Sequence, residues 1–279
     1  RTVLIPLRNS WSFFTQYAIV DGWYPAPDLQ QVRLQDTVTP AWSQRPDLDR
    51  WLISTLQSLI AEVNQQMEGY YLYKVVPPIV NFIDDLTNWY IRRSRRRFWR
   101  SATTPEALQD KAAAYATLYE VLVTFAQVMA PVLPFMTEAI YQHLVVETGV
   151  NHPDQDSIHL CEYPQVNTAL IDTQLEREVA LVRQAVKMGR ALRTKHSLKT
   201  RQPLRAMTLV HHDQSVLGAL QTQSELILEE LNLKHLYLVT DDHSLSTLSF
   251  KANFKTLGRR LGKRMKGAAQ RIASFDRAT

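Results

Sequence analysis

Apolar residues recur at spacings of three and four along most of the first 145 residues, and this periodicity constrains the fold more than any other feature. The clearest stripe runs from Leu48 to Met67, with Asp47 placed as the N-cap and Gly69 as the stop. Comparable stripes predict helices over residues 1–20, from Leu72 into an arginine run, over residues 105–129 and over residues 135–145. Long helices joined by short connections predict an antiparallel bundle.

Prolines interrupt this pattern and predict where the helices change. Pro77 and Pro78 predict either a kink in the second long helix or its true start. Thr104 followed by Pro105 is typical of an N-cap and a first helical residue. The proline-rich stretch over residues 21–46 has little periodicity, so we expect a long connecting loop there.

The period of the apolar pattern changes after Pro203. Residues 206–211 and 235–240 have the composition of short strands, and the stretch between them, residues 215–231, has helical spacing. Phe250 is a candidate end of a third strand, and a final basic helix is expected over residues 254–274. The predicted fold is therefore mainly α: a helix bundle over residues 1–165, a connecting helix and junction over 166–202, and a small basic α+β domain over 203–279.

The formal net charge of +5 conceals a strong segregation of charge. Arg92 to Arg100 holds six arginines and no acid, and Arg183 to Arg205 holds eight Lys and Arg and no acid. Lys251 to Thr279 holds nine basic residues and one acid, so the rest of the chain is net acidic. A basic run is often only a solvated helix face. Three such runs beside an acidic remainder favour a surface that binds a polyanion, because neutralised phosphates release their counterions.

Several classes of function are disfavoured by what the sequence lacks. Its single cysteine excludes a disulfide framework or a Cys-rich zinc module and fits a reducing, cytosolic setting. No phosphate loop, HExxH or GxSxG motif is present, so no catalytic residue, metal site or cofactor site is predicted. No uncharged apolar run reaches the roughly 18 residues that span a bilayer. Because the chain starts at Arg1 rather than Met, we expect it to be part of a longer protein.

The arginine run is the segment that says most about function. On a helix, Arg92, Arg95, Arg96 and Trp99 share one face, which places guanidinium groups beside an indole. Arginine forks match phosphate oxygens, and both kinds of plane stack on unpaired bases. Trp89 and Tyr90 continue the apolar stripe and are expected in the core, whereas Trp99 fits either the core or the interface. A basic amphipathic membrane helix is disfavoured, because the bundle already uses the apolar stripe.

The segment DDLTNWYIRRSRRRFW, residues 84–99, resembles the anticodon-binding domain of the isoleucyl-tRNA synthetase family, in the branch shared by eukaryotic cytosolic enzymes and some bacteria. The resemblance covers essentially the whole chain. Further matching blocks, in the same order, are VLIPLRNSWSFF (3–14), LDRWLI (48–53), MAPVLPFMTEAIY (129–141), GRALR (189–193), LKTRQPL (198–204) and KANFKTLGRRLG (251–262). Arg8 departs from the pattern, since the family often has Trp there.

The resemblance implies the tRNA-recognition part of a class I ligase that attaches isoleucine to its tRNA with ATP and magnesium. The ATP-binding signatures HIGH and KMSKS are absent from this chain, so we expect it to bind no cofactor and to be inactive alone. Expected partners are isoleucine tRNA and, through residues 1–45, a catalytic domain outside these residues; a membrane is not expected, and the expected location is the cytoplasm. The candidate tRNA contacts are Arg92, Arg93, Arg95, Arg96, Trp99, Lys195, Lys199, Arg201, Lys255, Arg259, Arg260, Lys263 and Arg264.

Two other functions stay open from the residues alone. A stand-alone RNA-binding protein could use the same fold and the same basic surface. A valyl-, leucyl- or methionyl-tRNA synthetase would share the bundle, although the arginine run argues against these sister enzymes.

Overall fold

The structure, a computed structural model, describes residues 1–25, 33–34, 37–149, 156–241 and 251–274. Within these residues the chain is mainly helical with a small α+β part, which confirms the predicted fold class. The chain divides into two compact units, Arg1–Val179 and Ala180–Thr279. The three-part division predicted from the sequence stays a prediction.

Unit 1 is a bundle of helices with one small hairpin. A π-helical segment, Asp85–Ile91, joins the helices Leu72–Asp84 and Arg92–Trp99, and another, Gln142–Val146, follows the helix Pro134–Tyr141. Strands β1 (Arg33–Leu34) and β2 (Thr37–Val38) pair antiparallel within the region expected to be a loop. The helices are α1 (Leu4–Asp21), α2 (Asp47–Glu68), α3 (Leu72–Asp84), α4 (Arg92–Trp99), α5 (Pro105–Met129), α6 (Pro134–Tyr141) and the first part of α7 (Thr173–Lys195).

Helix α5 is the centre of the bundle and packs against α1, α2, α4 and α6. It starts as predicted, with Pro105 at its first position and the Thr104 hydroxyl accepting a hydrogen bond from the Ala107 amide at 3.3 Å. Every residue from Lys111 to Tyr119 is buried, as expected for a helix with neighbours on all sides. By length and composition alone α5 could cross a membrane, but 78% of its most apolar window is buried inside the protein.

The predicted cap of one helix, Asp47, is wrong, whereas the predicted start of the next helix near Leu72 is confirmed. Helix α2 begins at Asp47 with Pro46 in the capping position, and no side chain caps it. Helix α3 begins at Leu72 and runs through Pro77 and Pro78. A proline removes the hydrogen bond to the carbonyl four residues earlier. Here those carbonyls belong to exposed residues of the first turn, where water can satisfy them.

The π-helical segment between α3 and α4 buries three consecutive residues, Trp89, Tyr90 and Ile91. The α-helix resumes at Arg92. Trp89 and Tyr90 are therefore core residues, as predicted.

Unit 2 contains the second part of α7 and a parallel pair of strands, β3 (Leu204–Val210) and β4 (Leu233–Val239). Helices α8 (Gln214–Thr222) and α9 (Ser224–Leu231) connect the two strands. The predicted third strand end at Phe250 lies outside the described residues. The final basic segment forms α10 (Phe254–Leu261) and α11 (Met265–Ala273) instead of one helix. The break comes at Gly262, whose φ of 47° is left-handed and favours glycine.

Candidate nucleic-acid interface

Helix α4 presents the predicted arginine face to solvent. Arg92, Arg95, Arg96 and Trp99 are all exposed, and Arg93 is half-buried beside them. The indole of Trp99 is 57% exposed, which decides between the two interpretations of this residue in favour of the surface. On the opposite side of α4, Ser94 and Phe98 are buried in the bundle.

Two open clefts flank this face. Arg95 lines a cleft of about 250 Å³ toward α1, with Asn9 and Asn88 among the other lining residues. Arg96 lines a cleft of about 240 Å³ between the end of α4 and the start of α5. Among the described residues, neither Arg95 nor Arg96 forms an ion pair with a carboxylate. Their guanidinium groups are therefore available to an outside anion.

Arg97, one residue further along the same run, has the opposite role. Its Nη1 and Nη2 atoms donate to the two carboxylate oxygens of Asp49 on α2, each at 2.7 Å. Its Nε donates to Asp110 on α5 at 3.0 Å. The Asp49 side chain is completely buried, and it also accepts a hydrogen bond from the Tyr90 hydroxyl at 2.7 Å. Arg97 thus fixes α4 to α2 and α5.

Burial and charge shift the pKa values inside this network. Burial alone would lower the pKa of Arg97, but the adjacent Asp49 carboxylate outweighs it and raises the pKa above its usual value. Burial, reinforced by the Asp49 charge, raises the pKa of Tyr90 well above its usual value. Tyr90 therefore stays a neutral donor and Arg97 stays a cation at neutral pH.

A second buried cation holds the C-terminal end of α4. Lys111 on α5 lies 2.6 Å from the Asp21 carboxylate and donates to the Arg100 backbone carbonyl at 3.2 Å. The Tyr115 hydroxyl donates to the same Asp21 carboxylate at 2.5 Å. These contacts join the end of α1, the end of α4 and the first part of α5, so they hold the helix that carries the arginine face against the bundle.

In unit 2, a buried arginine organises the loop that follows α7. Arg193 is 4% exposed, and its Nη1 atom donates to the carbonyls of Lys199 at 2.8 Å and Gln202 at 3.1 Å. Its Nη2 atom donates to the carbonyls of Leu231 at 2.5 Å and Asn232 at 3.4 Å. One guanidinium therefore ties this loop to the end of α9 and to the residue that precedes β4.

The neighbouring residues of α7 pack this part of unit 2 closely. A Cβ atom added at Gly189 would collide with Leu231 Cδ1, so the buried Leu231 side chain would have to shift to admit a larger residue there. Arg190 forms an ion pair with Glu230 on α9 at 2.5 Å. The loop held by Arg193 keeps the predicted contact residues Lys199 and Arg201 exposed, and Lys195 is exposed at the end of α7.

The C-terminal helices carry the third predicted set. Asn253 caps α10, with its Oδ1 accepting from the amides of Lys255 at 3.1 Å and Thr256 at 3.3 Å. Leu257 and Leu261 are half-buried and Met265 is buried, which separates an apolar side from a basic side. The predicted contact residues here are all exposed: Lys255, Arg259, Arg260, Lys263 and Arg264.

The predicted contacts thus form one group on α4 in unit 1 and two groups in unit 2, and their contact with tRNA stays a prediction. The sequence assigned no role to Arg97, which anchors α4, or to Arg193, which anchors the loop after α7. The sequence gives no signal that separates them from the other arginines, because their contacts form only in the folded chain. Within the described residues, no group of three or more His, Cys, Asp and Glu could hold a metal ion.

A helical bundle with an anchored arginine face, followed by a basic α+β unit, has the charge pattern expected of a protein that binds a polyanion. The family model described as the anticodon-binding domain of tRNA ligase matches residues 49–208, more than half of the chain. The chain therefore belongs to this family of anticodon-binding domains.

Curated relatives narrow the comparison to one kind of ligase. The isoleucine–tRNA ligase of Treponema denticola is 43% identical over 276 residues, which are 98% of this chain and 24% of that protein. The isoleucine–tRNA ligase of Protochlamydia amoebophila is 40% identical over 275 residues, 99% of this chain and 24% of the relative. The isoleucine–tRNA ligase of Chlamydia muridarum is 39% identical over 278 residues, which are 99% of this chain and 24% of that protein. The chain spans about a quarter of the length of these relatives.

Proposed function

We propose that this chain binds tRNA as the anticodon-recognising part of an isoleucine–tRNA ligase. The observation that carries the proposal is the exposed arginine face of α4, which lies within the residues that match the family model. Its guanidinium groups suit phosphate oxygens, and the Trp99 indole suits an unstacked base. The relatives support isoleucine, rather than valine, leucine or methionine, as the amino acid of the whole enzyme.

The whole enzyme would attach isoleucine to its tRNA in a reaction driven by ATP. On this proposal ATP and magnesium bind outside these residues, the chain alone forms no adenylate, and residues 1–45 contact the catalytic domain. A cytoplasmic location fits this role. The branch shared with eukaryotic cytosolic enzymes stays a prediction, and the relatives named above are bacterial.

The three basic groups would contact different parts of the tRNA. The arginine face of α4 would contact the backbone of the anticodon stem, because paired A-form RNA hides its base edges in a narrow groove. The groups in unit 2, around Lys199 and along α10, would contact the anticodon loop, where unpaired bases can be read. Phosphate contacts set affinity and its salt dependence, whereas base contacts set specificity.

The first experiment tests the arginine face. Arg95→Glu and Arg96→Glu, singly and together, should weaken binding of isoleucine tRNA by this chain and lower the slope of log affinity against log salt. Lys74→Glu is the control, because it reverses one exposed charge elsewhere on the bundle. A double variant with unchanged affinity and unchanged salt slope would exclude α4 from the interface.

The second experiment tests the specificity. Isoleucine tRNA and a version with an exchanged anticodon are compared for binding to this chain across a series of salt concentrations. A base-reading contact is worth about 1–3 kcal/mol, so the exchanged version should bind about 5- to 150-fold more weakly. Equal affinities would mean that the chain holds tRNA without reading its anticodon.

A further inference from the structure

The two-stranded sheet of unit 2 has one face on which several side chains are exposed in the part of the chain that the structure describes. The parallel register pairs Thr208 with Tyr237, so these two side chains lie on the same face of the sheet. Helices α8 and α9 both pack with β4. The opposite face of the sheet carries the half-buried apolar residues Met207, Leu209, Leu236 and Leu238. We call the exposed side, formed by Thr208, Val210, His235 and Tyr237, the open sheet face.

The open sheet face exposes two aromatic rings. Tyr237 is 53% exposed and His235 is also exposed, although each lies in the middle of a strand. Their ring centroids are 6.4 Å apart and their planes differ by 26°, so both rings present broad faces in nearly the same direction. On the paired strand, the smaller side chains of Thr208 and Val210 are also exposed, Val210 by 39%.

A basic loop lies at one end of this face. The Leu204 amide donates to the Asn232 carbonyl at 3.0 Å, and the Asn232 side-chain amide donates to the Arg201 carbonyl at 2.8 Å. These bonds, together with the Arg193 contacts, place the loop that carries Lys199 and Arg201 where both parallel strands begin. The described residues of unit 2 hold seventeen Lys and Arg against five Asp and Glu, so the surroundings favour a polyanion.

We propose that the open sheet face binds single-stranded RNA, with unpaired bases stacking on Tyr237 and His235 and the backbone phosphates meeting Lys199 and Arg201. Aromatic rings on an exposed sheet bind unpaired bases because every base has a π face, and adjacent cations hold the backbone. The excess of Lys and Arg around this face favours RNA over a protein partner, which would not need so many cations. The inference rests on the proposed function, since an anticodon loop supplies such bases, and it names the surface that would receive them.

The test compares Tyr237→Ala with Tyr237→Phe in the full chain. Two RNAs carry 2-aminopurine at one unpaired position: the anticodon stem–loop of isoleucine tRNA, and a single strand with the sequence of its loop. A blunt duplex with the sequence of the stem serves as the RNA control. Tyr73→Ala, which removes a tyrosine that is 73% exposed on the bundle, serves as the protein control. Circular dichroism and amide exchange of β3 and β4 establish that each variant is folded.

The wild-type chain should quench 2-aminopurine fluorescence in both unpaired RNAs. Tyr237→Ala should abolish the quenching and weaken binding of both by about 5- to 150-fold, from the energy of one base stacked on an aromatic ring. Tyr237→Phe and Tyr73→Ala should leave the quenching and the affinity unchanged, and the duplex should bind all variants equally.

The outcomes separate this inference from the proposed function. If folded Tyr237→Ala binds and quenches the single strand as the wild type does, the open sheet face is not an RNA site, whatever the tRNA result. The same conclusion follows if the wild type does not bind the single strand. If the single strand behaves as expected but the wild type binds the stem–loop no better than the duplex, the open sheet face stands and anticodon recognition fails.

Discussion

Replacing Arg97 by Gln should lower the stability of the bundle far more than replacing its neighbour Arg96 does. Arg97 makes two charge-assisted hydrogen bonds of 2.7 Å to Asp49, whose side chain has no solvent exposure. After Arg97→Gln, Asp49 would keep only the Tyr90 hydroxyl as a strong donor. Removing one partner of a buried pair costs about 3–5 kcal/mol, because the other charge is left uncompensated. In a unit of this length, the melting temperature should fall by roughly 6–20 °C.

Tryptophan fluorescence during urea unfolding is the assay. All six tryptophans of the chain lie between Trp11 and Trp99, so this signal reports on unit 1 and not on unit 2. This matters because two units need not unfold in one transition. The free energy of unfolding is taken from the linear dependence on urea concentration, with the slope checked for each variant.

Arg96→Gln is the matched control, one position away on the same helix. Arg96 is exposed and forms no ion pair among the described residues, so its replacement should change the free energy of unfolding by less than about 0.5 kcal/mol. The double variant Arg97→Met with Asp49→Asn removes both charges and should recover much of the loss. A loss below about 1 kcal/mol for Arg97→Gln would refute the structural role of this pair.

Further predictions concern packing and pH. Gly189→Ala should destabilise unit 2 by about 1–3 kcal/mol, since the added Cβ would collide with the buried Leu231 side chain. Gly218→Ala, with nothing within 4 Å, should stabilise unit 2 by up to about 1 kcal/mol. Amide exchange of β3 and β4 measures both changes. Burial alone would raise the pKa of Glu138, but hydrogen bonds from Gln142, Ser157 and the Ile158 amide lower it below 4.5. The ionised Glu138 carboxylate therefore stabilises unit 1 fully above pH 4.5, and this stabilisation is lost as the pH falls further. Glu138→Gln should thus make the free energy of unfolding of unit 1 depend less steeply on pH in acid. An unchanged dependence would contradict this.

The sequence was most informative where a single helix carries the pattern. The spacing of Arg92, Arg95, Arg96 and Trp99 placed them on one face, and the structure exposes all four. Local geometry decides such a face, because residues three and four apart on a helix are neighbours whatever surrounds them. The strands and helices of unit 2 were predictable for the same reason, from the change in period after Pro203.

The sequence could not assign different roles to residues of one type. Arg96 and Arg97 are adjacent and identical in chemistry, yet one faces solvent and the other is fixed to Asp49, 48 positions earlier in the chain. The π-helical turn before Arg92 was not predicted from the sequence either.

The sequence by itself therefore determined the class of fold, the basic faces and the family resemblance, since these depend on short-range spacing and composition. Only the tertiary structure decided which cations are buried in ion pairs and which are exposed. It also decided that Tyr237 and His235 are exposed on one face of the sheet. Burial and ion pairing depend on which distant segments meet, and that information is absent from any single stretch of the chain.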